Sequence, residues 1–195
     1  MTLPISDLVD DFNDNNFNTS LWYSPPLFFT PEEVNQRLEF TNSTGNGYWI
    51  TSNDRYNLLG GLIKFRLELS VGQHKFIINS ADIYSSFLCH YTVYISPTLI
   101  YIYTDTDEIL WLDTYNNIYK YFRAREDGGL IYFEASINEI DWIFLALDNY
   151  VTSNIPLDNV FIEFKHRNST NAWMDSVNID ENIIYKKLLM KMYTH

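Results

Sequence analysis

Apolar and polar positions alternate along much of this chain with the period of a β-strand. Ile63, Phe65, Leu67 and Leu69 are separated by Lys64, Arg66 and Glu68, which predicts a strand over 62–69 with one buried face and one wet face. The alternation recurs over 36–41, with Leu38 and Phe40 on one side. Residues 47–52 are the predicted hairpin partner, across a turn rich in Asn, Ser and Gly at 42–46. Further strands are predicted over 87–95, 99–104, 109–113, 118–126, 130–136, 141–147, 160–165 and 172–179. Turn signals separate most of them, the strongest being Asp127-Gly128-Gly129. So many short strands with turns between them predict an all-β, two-sheet antiparallel sandwich. One stretch breaks the pattern. Residues 181–193 contain good helix formers and no Gly or Pro, with Asp180 as N-cap. The expected organisation is a sandwich over 1–179 and a helical appendage over 180–195.

Composition narrows the partners. The net charge of -12 repels phosphate backbones and argues against nucleic acid. No run approaches the ~20 apolar residues of a membrane helix, and Met1 to Asp11 lacks the form of a secretory signal. Synthesis in a cytosol is therefore expected. Cys89 is the lone cysteine and follows Phe87-Leu88, so it reads as packing rather than as a disulfide partner. The basic end of the chain carries Lys187 and Lys191 near Ile184 and Leu188. That partly amphipathic face is a candidate assembly surface, and a homo-oligomer or larger assembly is the expectation it raises.

Several segments resemble the concanavalin A-like lectin/glucanase superfamily. They are Asp10-Asp11-Phe12-Asn13-Asp14 with Asn18-Thr19-Ser20-Leu21-Trp22, the stretch Tyr121 to Gly129, the hairpin Leu130 to Ser136 with Asp141-Trp142, and the closing strand Ala172 to Ile179. They bracket residues 10–179 in the family's order. The resemblance implies a jelly roll whose first and last strands are adjacent, with Trp22 and Trp142 in the core. It also implies a structural calcium ion between those strands, with Asp10 or Asp11 and Asp175 among its ligands; calcium needs 6–8 oxygens, so these are part of a set. The fold hosts lectins, hydrolases and structural modules alike.

The glucanases of this superfamily carry their carboxylates as Glu-x-Asp-x-Glu on one strand, because alternate residues share a face. Asp105-Thr106-Asp107-Glu108 and Glu139-Ile140-Asp141 do not complete that spacing. The four histidines are scattered, without metal-ligand spacing. Aromatic residues are more promising. Tyr101 and Tyr103 share one face of a predicted strand, Trp111, Tyr119 and Tyr121 are placed to extend it, and Arg123 and Arg125 supply donors. The expected function is a non-catalytic recognition module that binds a glycan or a protein surface, exposed on a virion or outside the cell. A structural virion component and a glucanase-type glycoside hydrolase are the alternatives.

Overall fold

A computed structural model describes residues 2–25, 28, 30–40, 47–69, 72–80, 90–104, 108–115, 118–167 and 172–178. In chain order the strands are β1 (Leu3–Pro4), β2 (Trp22–Tyr23), β3 (Glu32–Val34), β4 (Arg37–Phe40), β5 (Tyr48–Ser52), β6 (Tyr56–Asn57), β7 (Leu62–Leu69) and β8 (Gln73–Asn79). They continue with β9 (His90–Ile95), β10 (Leu99–Thr104), β11 (Ile109–Thr114), β12 (Tyr121–Asp127), β13 (Leu130–Ser136), β14 (Trp142–Asp148), β15 (Phe161–Arg167) and β16 (Ala172–Val177). Two seven-stranded sheets result. The first runs β11-β10-β9-β8-β15-β5-β2, the second β14-β13-β12-β7-β16-β4-β3. Every pairing within them is antiparallel. The predicted two-sheet sandwich is what the chain forms.

The alternation read from the sequence becomes the core. Ile63, Phe65 and Leu67 of β7 are buried, and so are Phe76 and Ile78 of β8, Phe122 and Ala124 of β12, and Ile162 and Phe164 of β15. Rings meet between the sheets: Phe65 lies 4.8 Å from Phe76 and 5.2 Å from Phe164, centroid to centroid. Trp22 is 1% exposed and donates its indole N–H to Asp10 at 2.8 Å. The expected adjacency of first and last strands takes the form of a bridge between Asp10 and Val177. Asn178 seals it, donating its side-chain amide to the carbonyls of Ile5 and Leu8 at 2.9 Å each. At Gly128 and Gly129, both φ angles are positive (62° and 90°), so this two-residue loop joins β12 to β13 with the twist a hairpin needs.

Three expectations are corrected. The segments 36–41 and 47–52 are not a hairpin. Strand β4 belongs to the second sheet and β5 to the first, because each buries an aromatic against the other across the core (Phe40 to Tyr48, 5.7 Å). Strand β8, central in the first sheet, went unrecognised because its inward row of His74, Phe76 and Ile78 opens on a histidine. Trp142 is half-buried, not core. It sits on the outer face of the second sheet beneath the Arg123 guanidinium, 4.1 Å away, and donates to the Glu139 carbonyl. The predicted helical appendage, with Ile184, Lys187, Leu188 and Lys191, lies outside the described residues, as does Cys89. No helix among the described residues is long and apolar enough to cross a membrane.

Candidate functional site

The first sheet buries one face and turns the other outward, and strand register fixes which residues stand together there. Lys165 pairs with Trp49 on one side and with Lys75 on the other, Lys75 with Tyr94, and Tyr94 with Tyr101. Trp49, Lys165, Lys75, Tyr94 and Tyr101 therefore form a single row across five neighbouring strands, roughly 20 Å long at the usual strand spacing. A second row beside it holds Thr51, Glu163, Ile77, Thr92 and Tyr103.

The first row packs as an aromatic and cationic surface, whereas Thr51, Glu163, Ile77 and Thr92 of the second are buried. Tyr94 stacks on Tyr101 (4.5 Å) and Tyr101 on Tyr103 (5.3 Å). Lys75 Nζ donates to the Tyr103 hydroxyl at 2.9 Å. Lys165 Nζ lies 3.9 Å from the centre of the Trp49 ring, whose other neighbour is Phe28, edge-on at 4.9 Å. Burial pushes the Tyr94 hydroxyl above its ordinary range, with the Tyr101 and Tyr103 hydroxyls adding to the effect. A groove of about 460 Å³ runs over this surface, lined by Phe28, Gln73, Lys75, Tyr94, Lys165 and Arg167 among others. That is a ligand-sized cleft, aromatic with a few convergent polar groups.

One carboxylate belongs to this face among the described residues. Glu163 is 1% exposed, accepts a hydrogen bond from Asn79 Nδ2 at 2.6 Å and lies 3.1 Å from Lys165 Nζ. No described strand of this face repeats carboxylates at alternate positions; the outward residues of β9 are His90, Thr92 and Tyr94. A second, larger cleft of about 710 Å³ lies elsewhere, lined by Asn57, Gly60, Leu62, Arg125, Glu126 and Asp127 among others. Its Glu126 is committed to holding turns, accepting from the backbone N–H groups of Gly60 and Gly129.

The residues read from the sequence as one binding face are divided by the structure. Tyr101 and Tyr103 are on the groove face as expected. Trp111 pairs with Ile102 and so packs toward the core side. Tyr119 is half-buried and stacks on Tyr115, 6.2 Å away. Tyr121, Arg123 and Arg125 belong to β12, in the other sheet. There Arg66 lies over Tyr121, and both Arg123 (2.7 Å) and Arg125 (3.0 Å) bind the same Glu134 oxygen. Burial pushes the Glu134 carboxyl up, but the two guanidiniums outweigh it and hold it below its ordinary value. Those arginines serve the second sheet's outer surface, not the groove.

The residues expected to hold calcium have other partners in the structure. Asp10 spends one oxygen on the Phe12 N–H and the other on the Trp22 indole. Asp175 is paired with Arg66 at 2.5 Å, and Asp11 is bonded to Asn13 at the surface. Among the described residues no group of three His, Cys, Asp or Glu side chains is placed to hold a metal ion. Two histidines distant in sequence do meet. His74 and His166 lie 5.9 Å apart in the core.

No protein-family model and no curated protein sequence matches the chain. Solved structures do match its architecture. The laminarinase from Flavobacterium sp. UMI-01 superposes with a TM-score of 0.65 at 12% identity, over 87% of this chain and 96% of that one. A glycoside hydrolase family 16 endo-glucanase from Bacteroides ovatus gives 0.61 at 11%, over 87% and 98%. The Bacillus licheniformis β-glucanase gives 0.59 at 11%, over 87% and 95%. The chain shares its fold with these proteins, a two-sheet jelly-roll sandwich. These neighbours correct the functional expectation. They are glucan-hydrolysing enzymes, and the likeness favours the glucanase alternative over the reading as a non-catalytic module.

Proposed function

We propose that this chain acts on a polysaccharide laid along the outer face of the first sheet, as a glycoside hydrolase of the glucanase type. The observation that carries the reading is the row Trp49, Lys165, Lys75, Tyr94 and Tyr101, which lies in register across a sheet of the glucanase sandwich. Aromatic faces stack on sugar rings, and the lysines beside them supply donors for hydroxyl or acidic groups. Among the described residues, Glu163 is the carboxylate of this face, held beside Lys165 and Asn79. Glycoside hydrolysis uses a second carboxyl group, and the described residues of this face do not provide it.

The test is release of reducing ends from a panel of neutral and acidic β-linked polysaccharides by the wild-type chain and by Glu163→Gln. Turnover that falls at least 100-fold in the variant, with unchanged melting temperature, supports the reading. A folded wild-type chain that releases nothing from any member of the panel overturns it.

A further inference from the structure

The charge of the groove is opposite to that of the molecule. The chain carries -12 overall, yet the described residues that line the groove include three cations, Lys75, Lys165 and Arg167, and no carboxylate; Glu163 lies in the row beside it. Lys165 is matched by Glu163. Lys75 has a neutral partner, the Tyr103 hydroxyl, and Arg167 is exposed at the groove's edge. Among the described residues, two positive charges therefore remain without a carboxylate partner over a cleft whose walls are aromatic.

A neutral glucan would gain little from them, since hydroxyl groups are served equally well by Gln or Asn. An anion gains charge-assisted hydrogen bonds, which are shorter and about twice as strong. On an acidic protein such a patch gives an anion a favourable local field. Resting on the polysaccharide reading above, we infer that the natural ligand of this groove is an acidic polysaccharide, with sulfate esters or uronate carboxylates opposite Lys75 and Arg167 and sugar rings on Tyr94 and Tyr101.

Binding of the full chain is measured by affinity electrophoresis and calorimetry against dextran sulfate, alginate, laminarin and neutral dextran. At least tenfold tighter binding of one or both polyanions than of either neutral glucan is expected, weakening as salt is raised. Preference between dextran sulfate and alginate assigns the anion as sulfate or carboxylate. The double variant Lys75→Gln/Arg167→Gln should lose at least tenfold toward the polyanion while its melting temperature holds. Lys120→Gln, on an exposed lysine paired with Glu68 away from the groove, should bind as wild type. Equal or tighter binding of laminarin, or a double variant that binds polyanions like wild type, overturns the inference and leaves the polysaccharide reading standing. Failure to bind any of the four sinks both.

Discussion

Glu163 and Lys165 stand two positions apart on β15 and form an ion pair of 3.1 Å, although the glutamate is all but sealed from solvent at 1% exposure. A carboxylate so placed depends on its partners, because a buried charge left without one costs more than the pair contributes. Lys165→Met should therefore destabilise the fold by about 1–3 kcal/mol in urea unfolding. Adding Glu163→Gln should recover most of that loss. Strictly additive effects in the double-mutant cycle would show that the pair does not couple.

Tyr101 and Trp111 separate binding from stability. Tyr101 is on the groove face, stacked between Tyr94 and Tyr103, whereas Trp111 packs against the core. Tyr101→Ala should weaken polysaccharide binding about tenfold, consistent with losing roughly 1–1.5 kcal/mol of ring contact, and leave the melting temperature within a few degrees. Trp111→Ala should do the reverse, lowering stability by about 2 kcal/mol or more with affinity unchanged.

His74 makes stability depend on acid. It is fully buried, and its two ring nitrogens have no hydrogen-bond partner among the described residues. Burial, and then the neighbouring His166, hold its proton affinity well below the ordinary value of 6.5. The native state keeps this ring neutral while the unfolded chain protonates it, so stability falls as pH drops below about 6.5. The loss approaches 1.4 kcal/mol per pH unit for one such group. His74→Leu should flatten the dependence between pH 6.5 and about 5, read as the difference from wild type in chemical unfolding. Parallel curves for the two proteins would show that His74 does not carry it.

Glu33 works in the opposite sense. It is 5% exposed, and its carboxyl is pushed up to about 7, first by burial and then by its hydrogen bond with Asp14 and the charges of Asp10 and Asp14. The fold thus favours the protonated form. Its contribution is full below about 4.5 and is lost as pH rises through 7. Glu33→Gln, which cannot ionise, should raise the melting temperature at pH 8 by several degrees, since about 1 kcal/mol moves a domain of this size by 2–4 °C. At pH 4.5 the variant and the wild type should melt together. A variant less stable at both pH values would contradict this account.

Local pattern was enough for most strands, and the reason is physical. Strand β7 alternates cleanly because one face meets the core and the other meets solvent, so period two is written into Ile63 to Leu67. The hairpin of β12 and β13 was legible down to its two-glycine turn. The groove was not. Its row joins Trp49, Lys75, Tyr94, Tyr101 and Lys165, whose strands become neighbours only through long-range pairing of β15 with β5 and β8. Grouping aromatics by nearness in sequence instead placed Tyr121, Arg123 and Arg125 beside Tyr103, when a sheet boundary divides them. The signal that was available lay in β15 itself, where Glu163, Lys165 and Arg167 alternate with Ile162, Phe164 and His166. It marks a charged outer face but not its neighbours.

The positions of the last two strands shape how the chain comes to be folded. Strand β15 lies between β8 and β5, and β16 between β7 and β4, so both sheets are completed from the inside by the end of the sequence. Until those residues leave the ribosome, each half-built sheet has a vacant slot with bare backbone donors and acceptors on either side. Such edges invite pairing with other chains, and closing them requires contacts between residues more than 80 positions apart, the kind that form slowly. A nascent or truncated chain ending before residue 160 is the form most exposed to aggregation, and a holding chaperone would protect it during translation more than afterwards.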